Sequence, residues 1–585
     1  MYMEIFRKYY KFVFKYKVTI LVSLFLVIAS QISTNYSLYV FQYLLDEIKK
    51  PEFSLDYLIN ILVIFGIIKI VSLFVEVLSW YLMDRSTLRA QADARQTVLA
   101  KIHELDFSFH STKQSGSLIS AIKRGDGAFA NFNITLNQSL LRRLVDYIFF
   151  GIAFYALDWR FLMLFLVIVV INFVASWILI KKNVGIRKDF NNFEDELSGK
   201  IVDNIINYET VKLFAQERWE QNRIKDMLGV WYKKVMAYAN SFRLMDVIFG
   251  LLSSFGVISC SYLSIVLYMQ GLISLGQMTL VFAFVLTFFP KLVWLMYDIR
   301  EIVKSMTDME KYFTYLDFDT EVVELPNASE LRNVHGIIDF DHISFGYKDR
   351  GKILKGFDLH IKDGESVALV GYSGAGKTTL MKLLLRYYDP SSGSIKIDGI
   401  DIRDVTKESL RRNIGLVPQE PILFNDTIEY NIGYPRPDFN IEKIMEAAHM
   451  ANLDEFIKAQ PEKYKTIVGE RGIKLSGGQK QRLAIARMFL ADPQIIVFDE
   501  ATSQLDSESE KLIQQAFWRV ATGKTTLIIA HRLSTVMRAD RIIVIDKGRI
   551  VEIGSHNDLI NKSSGIYSKL WSIQKGLMVD NVSML

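Results

Sequence analysis

Cysteine is all but missing: Cys260 is the only one in 585 residues, and it sits in an apolar stretch. No intramolecular disulfide and no cysteine-rich metal site can form. A dense Lys/Arg run with interleaved aromatics, the pattern that tracks a phosphate backbone, is missing too. The formal net charge of +5 is a small excess. Basic loops beside a membrane account for it better than nucleic-acid binding does. The stretch from Met1 to Lys17 mixes aromatics with Arg7, Lys8, Lys11, Lys15 and Lys17, but no small-residue cleavage site follows a short apolar core. It does not read as a cleaved signal peptide, and it is not Arg/Ser-rich like a transit peptide. The expectation is an amphipathic helix on the cytoplasmic face of a membrane.

What is present is strongly apolar in one half and mixed in the other. The composition is 50% hydrophobic and still 23% charged, which suits a membrane part joined to a soluble part, in two or three domains. A spanning helix needs about 20 mostly apolar residues. Six runs qualify: Val18 to Leu45, Tyr57 to Met83, Leu140 to Leu157, Phe161 to Ile180, Val247 to Met269 and Met278 to Tyr297. The third and fourth are parted only by Asp158, Trp159 and Arg160. The first carries Gln31, Ser33, Asn35 and Ser37 midway, so its outer half should face a cavity or other helices. The connections after the second and fourth runs are long and basic, with Arg85, Arg89, Arg95, Lys101, Lys113, Lys123 and Arg124 in one and Lys181, Lys182, Arg187, Lys188, Lys212 and Arg218 in the other. Positive residues stay on the cytoplasmic side, which puts both termini and both long loops there. Apolar residues recur in these loops at helical spacing, so each reads as a helical extension beyond the membrane. A charged helix then leads out from Ile299 to Pro326. Past His335, short β-branched strands alternate with helices and Gly-rich turns, the pattern of an α/β domain with a mainly parallel sheet.

The second half carries the chemistry. Gly371, Tyr372, Ser373, Gly374, Ala375, Gly376, Lys377 and Thr378 follow an apolar strand and open a helix at Thr379, the setting that a phosphate-binding loop requires. Its glycines let the backbone aim N–H groups at phosphates, Lys377 neutralises β and γ oxygens, and the Thr378 hydroxyl reaches Mg²⁺. The strand Ile495 to Phe498 ends in Asp499 and Glu500. A buried strand delivers such carboxylates to its C-terminal tip beside the loop. Asp499 would hold Mg²⁺ through its water shell, and Glu500 would polarise the attacking water. Leu475, Ser476, Gly477, Gly478 and Gln479 precede a strongly helical stretch. This is a second helix start suited to an anion. One ATP sandwiched between the loop of one subunit and this segment of another is the economical explanation, and it implies a dimer.

Together and in this order, these motifs resemble those of ATP-binding cassette half-transporters of the exporter type, over nearly the whole chain. The resemblance implies further roles. Tyr347 would stack on adenine, Gln419 would sense Mg²⁺ and face the membrane domain, and His531 would contact the γ-phosphate. The stretch Thr466 to Gly472 would lie against membrane-domain loops. Asp506 matches the family's inter-subunit aspartate. Gln504 departs from the small residue usual there, which bears on communication between sites rather than on ATP binding. The stretches Phe109 to Ser117 and Asn207 to Ala215 resemble the elements that transmit cassette motion, in the wording of the heavy-metal or glutathione-conjugate exporter subclass. The polar pattern which that subclass carries in its sixth span is not matched, because Leu286 to Leu292 stands there.

Charges inside apolar runs are costly, by about 2.5–3.5 kcal/mol at a helix centre. Lys69 and Glu76, seven apart, share one face of the second run, Lys291 follows Pro290 in the sixth, and Asn172 lies in the fourth. The expectation is that Lys69, Glu76 and Lys291 line a central cavity suited to an amphipathic or anionic cargo; the competing reading is structural ion pairs or snorkelling. The resulting picture is an α-helical six-span membrane domain (18–310) behind an interfacial helix (1–17). A linker (311–336), an α/β P-loop NTPase cassette (337–574) and a loose tail (575–585) follow. It implies a half-transporter ATPase using ATP and Mg²⁺, as a homodimer or paired with another half-transporter, in a lipid bilayer, most simply a bacterial inner membrane. An ATP-gated channel on the same scaffold is the rival; a soluble cassette protein lacks the spans.

Overall fold

A computed structural model of the chain describes all residues except 1, 49–54, 114, 348–349, 500–506, 530–532, 563 and 583–585. Two compact units, Met1–Asp319 and Thr320–Leu585, make up the chain. The division falls inside the segment read as a linker.

The first unit is helical. Among the described residues, five helices are long and apolar enough to cross a membrane: Met3–Tyr36, Leu55–Glu104, Trp159–Ile206, Glu217–Met269 and Leu275–Asp317. The third predicted span falls on a helix of 17 residues, Leu141–Leu157, at the short limit for crossing. It is entered from the helix Ser115–Ile134 through a π turn, Thr135–Leu140. The first predicted span is broken. Its helix stops at Tyr36 and resumes as Tyr39–Ile48. The Ser37 hydroxyl there donates to the Thr34 carbonyl at 2.6 Å, the local competition with helix geometry that such residues favour.

The helix Leu55–Glu104 has 50 residues. At 1.5 Å per residue it is about 75 Å long, against about 30 Å of hydrocarbon. It therefore continues well beyond the membrane, as do Trp159–Ile206 and Glu217–Met269. Short helices cap these extensions, Phe107–Thr112 and Tyr208–Leu213, on the two stretches read as transmission elements. In the spanning part of Leu55–Glu104, Leu62, Ile67, Ile70, Phe74 and Val77 are exposed, while Ser72 and Ser79 are buried. Small polar residues face the bundle and large apolar ones face outward, as close packing in lipid demands. The N-terminal helix Tyr2–Val13 buries Ile5, Tyr9, Phe12 and Val13, a stripe at helical spacing. The Tyr9 hydroxyl donates to Asn133 at the foot of the π turn. The helix Leu275–Thr314 ends twelve residues short of the predicted exit at Pro326. Beyond it, Tyr315 and Phe318 pack against Phe109 with ring centroids at 6.3 and 5.4 Å.

Among the described residues, the second unit holds two sheets. Its strands are β1 (Ile338–Tyr347), β2 (Arg350–Ile361), β3 (Ser366–Val370), β4 (Ser392–Ile397), β5 (Ile400–Asp401), β6 (Ile414–Val417), β7 (Ile495–Asp499), β8 (Thr525–Ile529), β9 (Arg541–Asp546) and β10 (Arg549–Gly554). A four-stranded antiparallel sheet has the order β2-β1-β4-β5, and a six-stranded sheet has the order β10-β9-β3-β8-β7-β6. In the latter β9, β3, β8, β7 and β6 are parallel, and β10 is antiparallel at the edge. Ala368, Val370, Ile496 and Phe498 belong to one buried cluster, while Val367, Leu369, Ile495 and Val497 belong to another. Side chains alternate across the pleat. The unbroken apolar runs of β3 and β7 exist because both faces are covered.

Two boundaries differ from the sequence reading. Residues 320–336 are not a free linker. Lys407 and Arg386 donate to the carbonyls of Val322 and Val323, and Asn413 donates to that of Leu331. The segment read as a loose tail is largely helical, within Ile566–Val582. Apolar residues continue there to Leu577, Met578 and Val579.

Candidate functional site

The parallel strands of the six-stranded sheet all end on one edge. Leu369 of β3 and Asp499 of β7 are both in register with Ile529 of β8. Asp499 therefore stands level with Leu369, two strand spacings or about 10 Å away. Beside β7, Val417 of β6 is in register with Phe498, which brings Gln419, exposed in the following turn, to the same edge. Strand topology thus gathers the loop after β3, Asp499 and Gln419 at the carboxyl ends of the strands, where ligands of open α/β sheets bind.

The loop itself depends on glycine. Gly371 has φ +155°, and a Cβ there would lie 2.1 Å from the Ile545 carbonyl oxygen. Gly376 has φ +110°, and its Cβ would meet the Leu354 side chain at 2.8 Å. No other residue fits these positions without moving its neighbours. Gly374 also has positive φ, +81°. The helix Lys377–Leu384 starts directly after. Lys377 is 4% exposed, and its ammonium donates to the carbonyls of Gly371 at 2.7 Å and Tyr372 at 3.1 Å. These bonds hold the cation inside the curl of the loop. Ser373, Gly374 and Thr378 are exposed, whereas Thr379 is buried.

Tyr347, at the end of β1, is half-buried. Its ring meets Tyr388 at 5.3 Å, and Lys382 from the loop's helix lies over it at 5.9 Å. The aromatic and the phosphate loop are thus neighbours.

Ser476 is the N-cap of the helix Gly477–Ala491. Its hydroxyl accepts from the Gln479 N–H at 3.3 Å, and the Gln479 side-chain oxygen accepts from the Ser476 N–H at 2.9 Å. This reciprocal capping box fixes the helix start and commits the Gln479 side chain to it. Gly477 is exposed and Gly478 is buried. Glu500, His531, Asp506 and Gln504 lie outside the described residues.

The three membrane charges part company. Lys291 pairs with Asp146 at 2.8 Å, and Asp146 is 0% exposed. The other Asp146 oxygen accepts from Gln31 and Asn35, each at 2.6 Å. The polar middle of the first span thus faces other helices. Glu76 pairs with Arg142, whose guanidinium lies 5.3 Å from the Trp80 ring. Lys69 is exposed, 5.5 Å from the Phe65 ring. Asn172 is buried, and neither of its side-chain polar atoms has a hydrogen-bond partner among the described residues.

Asp146 and Arg142 escaped the sequence reading, although a charge inside an apolar run was the very signal that picked out Lys69. Gln481 and Arg487 gave no signal at all. Gln481, 4% exposed, donates to the carbonyls of Gln419 and Pro418. Arg487 donates to Ile422 and Asn431, and burial pulls its pKa below the usual arginine value.

Comparisons with known proteins agree with this geometry. The family model for the ABC transporter transmembrane region matches residues 20–291, and that for the ABC transporter matches residues 354–503. The chain is 36% identical over 513 residues to ATP-binding cassette sub-family B member 6 of Mus musculus, covering 86% of this chain and 60% of that protein. It thus spans less than two thirds of that relative. It is 37% identical to the heavy metal tolerance protein of Schizosaccharomyces pombe, covering 81% of this chain and 57% of that one. Identity to the ATM1-type heavy metal exporter of Novosphingobium aromaticivorans is 36%, over 82% of this chain and 79% of the relative. A solved bacterial Atm1-family ABC exporter with ATP bound superposes with a TM-score of 0.85 at 32% identity, covering 96% of this chain and 99% of that one. The chain therefore belongs to the ABC transporter family, as a half-transporter with the Atm1-family exporter fold, one multi-pass transmembrane region followed by one nucleotide-binding ATPase cassette.

Proposed function

We propose that this chain hydrolyses ATP to export a small amphipathic or anionic cargo by alternating access, as a dimer with both termini cytoplasmic, in a bacterial inner membrane. One observation carries the ATPase reading: Lys377 is held in the loop after β3 while Asp499 stands level with Leu369 on the same sheet edge. In this reading Tyr347 stacks on the base. The loop from Gly371 through Ser373, Gly374 and Gly376 to Thr379 wraps the phosphates, and Lys377 balances their charge. Thr378, Gln419 and Asp499 offer a hydroxyl, a carboxamide and a carboxylate. This all-oxygen set suits Mg²⁺, which when bound neutralises charge developing on the phosphate oxygens. Glu500 takes up the attacking water's proton and orients it, and His531 steadies the γ-phosphate. Ser476, Gly477, Gly478 and Gln479 present a helix start to the nucleotide of the partner subunit, with Asp506 at the same interface. Closure of two cassettes moves the membrane helices through the tips around Phe109 and Tyr208, and hydrolysis resets them.

For the cargo, Lys69, Glu76 and Lys291 remain the cavity candidates. Lys291 and Glu76 are held in ion pairs with Asp146 and Arg142, the arrangement that the structural reading of these charges expects; in the cavity reading an anionic or amphipathic cargo competes for them. Relatives bear heavy-metal export and tolerance in their names, so the glutathione conjugates in the panel below include those of heavy metals.

The test is ATPase activity in lipid nanodiscs, wild type beside Glu500→Gln, against glutathione conjugates, lipids, peptides and drugs. The reading requires hydrolysis by wild type, its loss in Glu500→Gln, and stimulation by one class. An inert wild type that binds ATP points to a heterodimer or a channel-like device. Unchanged stimulation in both Lys291→Ala and Glu76→Ala removes the cavity.

A further inference from the structure

We infer that Gln481 is a positioning residue that links Gln419 at one ATP to the Ser476–Gln479 helix start serving the other. The inference rests on the dimeric ATPase reading above and adds to it a connection within each cassette.

The geometry is local and complete on one side of the amide. β6 is the edge strand of the six-stranded sheet, and the chain leaves it through Pro418 and Gln419. The carbonyls of both residues accept from the same Gln481 nitrogen, the Pro418 bond measuring 3.3 Å. Gln481 is 4% exposed, and its side-chain oxygen is buried without a hydrogen-bond partner among the described residues. Burying an unsatisfied acceptor is costly. The amide is thus oriented for its donor, and the donor serves the exit of β6. Meanwhile the Gln419 side chain stays exposed at the sheet edge.

Gln481 lies two residues past the capping box, in the opening part of the helix Gly477–Ala491. Farther along the same helix, Arg487 donates to the Ile422 carbonyl at 3.1 Å and to Asn431 through its carbonyl at 2.7 Å and its side-chain oxygen at 2.8 Å. Asn431 is 0% exposed and bonds both the N–H and the carbonyl of Phe424. The turn carrying Gln419 is therefore clamped at both ends by one rigid helix. If Gln419 shifts when it meets Mg²⁺ and the γ-phosphate, its main chain draws on Gln481, and the helix start at Ser476 follows. Because that helix start faces the partner's nucleotide, the link joins the two sites.

The experiment uses the full chain in nanodiscs with the non-hydrolysable analogue AMPPNP, titrated with Mg²⁺. Hydrogen exchange is followed over residues 371–379, 416–424 and 474–484, and ATPase kinetics are measured in parallel. In wild type, Mg²⁺ should protect all three segments with one midpoint. In Gln481→Leu, protection of 371–379 should persist, while the 474–484 segment should need on the order of tenfold more Mg²⁺, the effect of one buried hydrogen bond. The same variant should lower kcat by about tenfold with KM for ATP changed less than twofold, the mark of an interaction made after binding. Gln481→Asn, whose amide is too short to reach Gln419, should behave alike and decides the matter if the Leu variant does not fold. A common midpoint and unchanged kcat in the variants overturn this inference alone. No protection of 371–379 in wild type overturns the ATPase reading and this inference with it.

Discussion

In the helical unit Asp146 is fully buried and meets the cation Lys291 and the amides of Gln31 and Asn35. In the cassette Arg386 is 2% exposed, and it meets four main-chain carbonyls, those of Ile402, Arg403, Val405 and Val323, together with Asp389 at 3.1 Å. The difference follows from what each solvent leaves free. Helices in hydrocarbon use their own N–H and C=O groups internally, so a charge there must find other side chains. Loops around a sheet leave carbonyls unused, and an arginine fork can collect several of them. Buried charge in the first unit therefore ties separate spans together. In the second it ties a loop and the incoming chain to the end of the phosphate-loop helix.

The contrast can be broken by substitution, beginning with the largest effect. Lys291→Ala leaves the Asp146 carboxylate buried with only amides, and should cost about 3–5 kcal/mol of stability. A double substitution to Leu at both positions should recover most of this, as read by thermal melting in nanodiscs through a double-mutant cycle. An additive result would show that the pair is not the tie proposed. Lys377→Ala should lower ATPase activity by about 10²–10³-fold, the scale of losing one preorganised charge contact, and should cost about 1–2 kcal/mol of stability because two loop carbonyls lose their donor. Arg386→Lys keeps the charge but not the fork, so several carbonyls lose their donor and about 2 kcal/mol should go. Equal stability would mean that carbonyl solvation needs only a point charge. Ser476→Ala removes a cap, worth about 1 kcal/mol, and should also reduce ATPase turnover more than ATP binding. Smallest of all, Arg412→Ala breaks an exposed pair with Glu408 and should stay within about 0.5 kcal/mol of wild type.

Much of the cassette was legible because its signals are local. A glycine-rich stretch between an apolar strand and a helix can serve little else, and Asp499 sits at a strand tip by the same logic. The break at Ser37 and the short third span were not legible. A window of apolar residues records hydrophobicity and not where polar side chains divert the backbone. Asp146 hid in the run from Leu140 to Leu157, since its partners come from residues 31, 35 and 291. The segment 320–336 looked like a linker because its bonds go to residues some 60 to 85 positions later.

By itself, the sequence determined which residues can carry chemistry and in what order. Lys377 follows glycines, carboxylates end a buried strand, and Ser476 starts a helix. These are effects of covalent neighbours and of hydrophobic period, which act over a few residues. The tertiary structure decided who meets whom. Parallel pairing through β8 set Asp499 level with Leu369, the bundle matched Lys291 to Asp146, and one helix brought Gln481 to the main chain of Gln419. Such contacts join residues distant in the chain, and only packing and strand register can select them.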